Sequence, residues 1–361
     1  MPNVRKTEKT AKLRGITIIM SKFADADRSD DMTGGRRTKE RREQKTSANR
    51  RKGADKRKRD TEMEYTINVH GRLVDLSRPQ VMGILNVTPD SFYAGSRKQT
   101  EREISERAGQ ILAEGGTMID VGAFSTRPGA PQVSEEEEMA RLRHGLAIVR
   151  RVAPDAVVSV DTFRPDVARM AVEEYGAGII NDVSEGDVRG AFGGTSAQTR
   201  PEVGAGSDDR KEAEEVPEMF RMVARLGVPY ILMSVKPTVG EMMKAFAREV
   251  QQLRDLGAKD IILDPGFGFG KTLEQNYALM SSMSLLSELG LPLLVGVSRK
   301  SMIFRLLGTT PDEALNGTTV LNTLALERGA SILRVHDVRE AVEAVKIISE
   351  EGRVKNLLNE E

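Results

Sequence analysis

A chain of 361 residues with 39% apolar residues could hold one large domain or two modest ones, and the lack of cysteine excludes disulfides, thiolate metal sites and a cysteine nucleophile. Three histidines, His70, His144 and His336, are too few for a histidine-rich metal cage, and no apolar run approaches the roughly 20 residues needed to cross a bilayer. The net charge of zero hides a split: residues 1–60 carry 20 Lys+Arg against 9 Asp+Glu, the rest 34 against 45.

In chain order, residues 1–62 combine that positive charge with few aromatics and no apolar periodicity, which predicts a disordered basic extension. The stretch 50–59 could meet nucleic-acid phosphates, but a solvated tail or a true start at Met63 accounts for it more simply, so nucleic acid is not an expected partner. The run 15–20 is too short and its surroundings too charged for a good secretory signal; a soluble, cytoplasmic protein without a membrane segment is expected. A hairpin is predicted over 64–80, with strands 66–69 and 73–76 around His70 and Gly71, placed to cap the bottom of a barrel.

Eight short apolar runs come next, at 81–85, 118–121, 157–160, 178–180, 230–233, 261–263, 293–297 and 331–333, each ending in Gly or polar residues. Between them, helical spacing predicts helices over 101–114, 135–152, 165–175, 217–226, 240–256, 272–289, 301–307 with 312–329, and 337–350. Ser134 ahead of four glutamates and Pro165 at a first helical position mark two of the starts. Eight strand–helix units predict the α/β class and a closed (β/α)8 TIM barrel over 63–355, which gathers all the polar strand ends at one rim. Residues 186–216, rich in Gly, Ser, Asp and Glu, read as a polar insertion between the fourth strand and its helix.

The chemistry gathers at those strand ends. Asp264-Pro-Gly-Phe-Gly-Phe-Gly-Lys271 looks like a phosphate loop, but the first glycine of G-x-x-x-x-G-K-[ST] would fall on Pro265, so the match fails. A carboxylate beside a flat slot walled by Phe267 and Phe269 is the alternative. Asp161, Asn181 and Asp264, with Lys300 nearby, suit a guanidine-like edge such as that of guanine or a pterin, because carboxylates accept paired N–H bonds. Asp161 could instead cap the helix that begins at Pro165. Arg334-Val-His336-Asp337 follows the last strand; Arg334 and His336 would stabilise a leaving pyrophosphate, and Asp337 could cap the last helix. Asn86 and the Ser125-Thr-Arg-Pro-Gly129 loop, with Thr126 and Arg127, can meet a phosphate or a metal in loops suited to excluding water.

Together these motifs resemble the dihydropteroate synthase family over residues 81–350, most specifically through Asn86-Val-Thr-Pro-Asp-Ser-Phe92, Ser125–Gly129, Asp264–Lys271, Ser298-Arg-Lys-Ser301 and Arg334–Asp337. The resemblance implies an alkyl-group transfer that condenses 6-hydroxymethyl-7,8-dihydropterin diphosphate with 4-aminobenzoate to 7,8-dihydropteroate and pyrophosphate, in folate biosynthesis. It also implies Mg²⁺, a homodimer, and sulfonamides as mimics of 4-aminobenzoate. It assigns Asp161, Asn181, Asp264 and Lys300 to the pterin pocket, Asn86 to the Mg²⁺–diphosphate, and Arg334 and His336 to the diphosphate. Thr126, Arg127, Pro128, Phe267 and Ser301 fall to the second substrate, and Lys300, Arg334 and His336 to catalysis. The chain departs from the family pattern after its fifth barrel strand, where Met233-Ser-Val-Lys-Pro237 replaces the usual His-Met and Gly-Pro turn. It departs again after Ser91-Phe92, where Tyr93-Ala94-Gly95 replaces the usual Gly-Gly. Two other readings are a pterin-binding, corrinoid-dependent methyltransferase and a non-catalytic barrel carrying a nucleic-acid-binding arm.

Overall fold

A computed structural model describes residues 65–87, 97–124, 133–186 and 216–360. The basic extension over 1–62, the residues Thr126, Arg127 and Pro128, and all but the roots of the polar insertion lie outside the described residues. The chain enters through a hairpin of β1 (Thr66–Val69) and β2 (Arg72–Asp75). It then alternates β3 (Gln80–Asn86), α1 (Arg97–Ala113), β4 (Met118–Gly122), α2 (Glu135–Val152), β5 (Val157–Asp161), α3 (Pro165–Tyr175), β6 (Ile179–Asp182) and α4 (Glu218–Leu226). The second half holds β7 (Tyr230–Met233), α5 (Val239–Asp255), β8 (Ile261–Asp264), α6 (Leu273–Ser282), β9 (Leu293–Val295), α7 (Ser301–Leu307), α8 (Leu315–Glu327), β10 (Ala330–Val335) and α9 (Val338–Glu360). Strands β3 to β10 close into an all-parallel barrel in chain order, with β10 pairing β3, as the eight strand–helix units predict.

Alternation along each strand separates two cores. Side chains of successive strand residues point to opposite faces. One parity, including Ile119, Val121, Val158, Val160 and Leu263, packs outward against the helices. The other parity points into the barrel: Met82, Met118, Val157, Ile179, Ile262 and Ile332 join the hairpin's Ile67 and Val69 in a separate apolar cluster. That cluster is the barrel floor, and the hairpin closes it from below, as expected. Two residues further along the same parity the side chains become polar: Asp120, Ser159, Asn181, Asp264 and Arg334. The barrel is therefore apolar at its base and charged above, and the register aligns the upper layer, with Gly122 opposite Asp161 and Asp161 opposite Asn181.

The hairpin seat depends on one glycine. A Cβ on Gly178 would lie 2.4 Å from Cγ1 of Val69, and His70 Nε2 bonds the nearby Gly176 and Ala177 carbonyls at 3.1 and 3.0 Å. Gly178→Val is expected to overpack this joint and cost about 1–3 kcal/mol of stability, read as a lower thermal midpoint with the site residues untouched.

Helix boundaries follow their local chemistry. Ser134 caps α2, accepting the Glu137 N–H at 3.2 Å, and Pro165 opens α3. The helix expected over 272–289 divides into α6 and a tighter 3-10 segment, Met283–Leu289, that ends on Gly290 at φ 64°. Helix α9 runs past the expected 350, and past the expected domain end at 355, to Glu360. Gly352 lies inside this helix, where Arg353 pairs with Glu350 at 2.6 Å.

Candidate active site

The polar layer is one connected network. Arg334, rising from β10, donates Nε to Asp120 Oδ2 at 2.7 Å and Nη2 to Asp161 Oδ2 at 2.8 Å. Asn181 donates Nδ2 to the same Asp120 oxygen at 3.2 Å. Asp161 is therefore no helix cap; Arg164 occupies the N-cap of α3 without a side-chain bond. Asp264 ends β8 and accepts the Gly266 N–H at 2.7 Å. Lys300 donates to the Phe267 carbonyl and holds its ammonium 4.7 Å from the centre of the Phe269 ring. Its charge bears on both Asp264 and Asp161. Four of the five side chains assigned to the ring and its neighbours, Asp161, Asn181, Asp264 and Arg334, thus rise from different strands into one mouth, and Lys300 reaches it from the turn after β9.

Four buried polar atoms in this layer have no hydrogen-bond partner among the described residues: Asp120 Oδ1, Asp161 Oδ1, Asn181 Oδ1 and Ser159 Oγ. Leaving a buried acceptor unpaired costs about 1–3 kcal/mol each. Clustered in the barrel mouth, three unpaired carbonyl or carboxylate oxygens and one hydroxyl are complementary to a ligand rich in N–H groups. Asp120 and Ser159, both 0% exposed, were not singled out from the sequence. They sit within the runs 118–121 and 157–160, and the inward parity shared with Met118 and Val157 is the signal that finds them.

Burial sets the charges. It drives Asp161 up to about 7 against the pull of Arg334, and raises Asp264 against the pull of Lys300. Burial lowers Lys300 to about 8, with Asp264 opposing. It also works against the Arg334 charge, but Asp120 and Asp161 outweigh it and hold the guanidinium firmly protonated. Asp161 accepts N–H groups most strongly when ionised, and burial favours its neutral form, so that acceptance weakens as pH falls through about 7. Lys300 must be protonated to donate, and that state is lost as pH rises through about 8. Affinity for a ring ligand is thus expected to peak between the two and weaken on either side, which calorimetric titration across pH would show. Lys300→Arg should move the alkaline limb beyond the measurable range.

Two expectations are corrected. Phe267 does not wall a slot with its ring. The side chain is 0% exposed and packs in the outer apolar cluster, and its carbonyl, not its ring, meets Lys300. Glycines on either side let the backbone fold the ring outward, and Phe269 is left as the aromatic beside Lys300. Asp337 does not cap α9 with its side chain, because Arg299 takes its carboxylate through two bonds at 2.7 and 2.9 Å.

The loop after β8 is not a phosphate cradle. Lys271 turns inward and donates to the carbonyls of Ser234, Gly266 and Phe269 at 3.1, 2.9 and 3.3 Å. Gly266 sits at φ 64°, and a Cβ there would lie 2.2 Å from the Ser234 carbonyl, so the loop presses on the strand-β7 end where the chain departs from the family pattern. At that departure Glu185 accepts from Ser234 Oγ and Val235 N, both at 2.9 Å, and from Lys236 Nζ at 3.1 Å. These contacts fasten one root of the polar insertion to the rim. At the other flank His336 bonds Ser298, and Arg107 of α1 donates to the His336 carbonyl at 2.6 Å. Asn86 ends β3 near Gly122, whose Cβ would lie 3.6 Å from Asn86 Oδ1 and 3.5 Å from the Asp161 side chain.

Known proteins resemble the chain in sequence and fold over this region. Residues 82–336 match the family described as pterin binding enzyme. A dihydropteroate synthase of Escherichia coli (strain K12) is 37% identical over 286 residues, 77% of this chain and 93% of that protein. Among solved structures, the Xanthomonas albilineans dihydropteroate synthase with 4-aminobenzoic acid aligns with a TM-score of 0.66 and 34% identity, covering 80% of this chain and 98% of that one. The Yersinia pestis dihydropteroate synthase with a sulfonamide drug aligns at 0.65 and 35%, covering 80% and 100%. The chain belongs to the pterin binding enzyme family and, within it, to the dihydropteroate synthases.

Proposed function

We propose that the chain joins 6-hydroxymethyl-7,8-dihydropterin diphosphate to 4-aminobenzoate, forming 7,8-dihydropteroate and pyrophosphate for folate biosynthesis. The observation that carries this reading is the buried set of unpaired acceptors beside Arg334 and Lys300, which matches a pterin's N–H edge and carbonyl. Asp161, Asn181 and Asp264 accept the ring donors, and Lys300 donates to the ring. Arg334 keeps Nη1 clear of protein hydrogen bonds among the described residues, and together with His336 it receives the diphosphate.

The C–O bond to the diphosphate breaks with its electron pair leaving on oxygen, and the ring system spreads the positive charge left on the methylene carbon. The amine nitrogen then forms the C–N bond and sheds a proton. An aromatic amine is a neutral nucleophile at neutral pH, so the site needs no strong general base. Preorganised donors act where charge grows, on the leaving oxygen, and that term is commonly the largest in such sites. A methyl transfer from a folate would give the donors at Arg334 and His336 no anion to hold.

Among the described residues no group of three or more His, Asp or Glu is arranged to hold a metal. Magnesium favours one or two protein ligands plus substrate phosphates and water, so Asn86, at the end of β3, fits as the protein oxygen for an ion carried on the diphosphate. When bound, Mg²⁺ would neutralise charge on the leaving group. Asn86→Ala is expected to raise the Mg²⁺ concentration needed for half-maximal turnover by roughly 10-fold or more, measured by titrating the ion against rate.

For the second substrate we assign Thr126, Arg127 and Pro128, which lie outside the described residues, with Ser301 at the start of α7. Sulfonamides are expected to compete there with 4-aminobenzoate. A homodimer is supported by exposed Leu306 and Leu307 on α7, Val320 on α8 and Ile347 on α9, helices that pack side by side. A cytoplasmic setting is the sequence's reading, and among the described residues no helix is long and apolar enough to cross a membrane. The reaction is tested by coupled pyrophosphate detection. Release is expected only with the dihydropterin diphosphate, 4-aminobenzoate and Mg²⁺ together, and an absence of release from the folded chain would overturn the reading.

A further inference from the structure

Ser298 stands at the tip of the turn after β9, only 5% exposed, and it meets His336 twice. The His336 backbone N–H donates to Ser298 Oγ at 3.1 Å, and the same oxygen lies 3.0 Å from His336 Nδ1. No other partner of Oγ is found among the described residues. A hydroxyl has one proton to give. If Nδ1 carried a proton, Oγ would accept twice and its own proton would be buried without an acceptor, at a cost buried donors seldom bear. The arrangement that satisfies every group has Oγ accepting from the backbone and donating to Nδ1. Nδ1 is then bare, and a neutral imidazole carries its single proton on Nε2.

The surroundings hold the ring neutral and the turn still. Burial and then the Arg334 charge keep His336 low, at about 4, with Arg299 and Arg107 acting in the same sense and Asp337 opposing. Arg299 adopts φ 54°, and its N–H is fixed by the Thr318 hydroxyl at 3.0 Å. Its guanidinium is locked on Asp337 and reaches the Pro311 and Asp312 carbonyls. Arg107 holds the His336 carbonyl from the other side. Nε2 has no protein partner among the described residues, and the side chain is partly exposed at the rim.

We propose that Ser298 is a positioning residue that selects the Nε2-protonated, neutral form of His336 and so aims one N–H donor at the departing diphosphate. The diphosphate half of this statement rests on the proposed function; the tautomer half does not. His336 keeps its proton throughout: the bond that breaks is the substrate's C–O bond, and the imidazole only strengthens a hydrogen bond as charge builds on the leaving oxygen.

The test uses the full chain labelled with ¹⁵N-histidine, in which only three imidazoles appear, and His336→Gln identifies the relevant one by its disappearance. At neutral pH the His336 Nδ1 is expected at the unprotonated type of shift and Nε2 at the protonated type. Ser298→Ala should mix the tautomers and lower kcat by roughly 10–100-fold, by analogy with the loss seen when a group orienting a metal-bound histidine is removed, with little change in the KM for 4-aminobenzoate. Ser298→Thr, which keeps the hydroxyl, should restore both readouts. A protonated Nδ1 or an imidazolium in the unaltered chain overturns the proposal without any variant. So does a folded Ser298→Ala that keeps both tautomer and kcat. If the unaltered chain shows the expected tautomer yet releases no pyrophosphate, the reaction assignment fails while the role of Ser298 in setting the tautomer stands.

Discussion

Asp264→Ala is expected to raise the dissociation constant for dihydropterin diphosphate by roughly 10²–10⁴-fold. The carboxylate is 6% exposed and ends β8 with one oxygen on the Gly266 N–H, and the Lys300 charge favours its ionised form against burial. A pterin edge would lose two charge-assisted bonds, each worth about 1.5–3 kcal/mol. The loss is not confined to the ligand, because Lys300 also loses the partner that offsets its burial and should titrate lower still. Asp264→Asn keeps the shape and one acceptor, so its affinity should fall between the two. Calorimetry on folded variants checks the order; equal affinity in all three would place the ring elsewhere.

Arg334→Met carries the second large effect, and it is twofold. Removing a donor from the place where charge develops typically costs roughly 10²–10³ in kcat. The same change leaves Asp120 and Asp161 facing each other inside the barrel without their shared cation. Breaking a buried pair by deleting one partner costs about 3–5 kcal/mol, so the thermal midpoint should drop together with the rate. Adding Asp120→Asn to Arg334→Met should restore part of the stability and none of the rate. Arg334→Lys should also fail catalytically, since a single ammonium cannot span both carboxylates in the forked geometry of a guanidinium. A variant that loses rate and keeps its midpoint would show that the Asp120–Arg334–Asp161 bridge contributes little to folding.

These expectations join two layers that differ in how readily a sequence reveals them. The barrel is legible because strands and helices alternate with clear punctuation; helix α2 is bounded as expected since Ser134 and four glutamates advertise its start. Asp161, Asn181 and Asp264 are legible because each closes an apolar run. Asp120 is not, because it lies inside the run at Met118–Gly122, and only the alternation of faces shows that it points into the barrel beside Asn181 and Arg334.

Phe267 misleads for a different reason. In a loop with glycine at every second position the backbone can turn any residue either way, and packing, which spacing does not encode, sends this ring into the outer core. The Ser298–His336 contact joins residues 38 apart, and it depends on the turn held by Arg299 and Thr318, which no local pattern announces. The insertion hides its anchorage too: Glu185 at its root is read as one more acidic residue until Ser234 and Lys236 are seen around it.

The most direct test of the account is a crystal structure of the chain with 6-hydroxymethyl-7,8-dihydropterin diphosphate bound. The bicyclic ring is predicted to lie over the apolar barrel floor, with its N–H groups within hydrogen-bond distance of Asp161, Asn181 and Asp264, and its diphosphate on the side of Arg334 and His336. A ring found outside the barrel mouth, with Asp120, Asp161 and Asn181 still unpaired beneath it, would contradict the account.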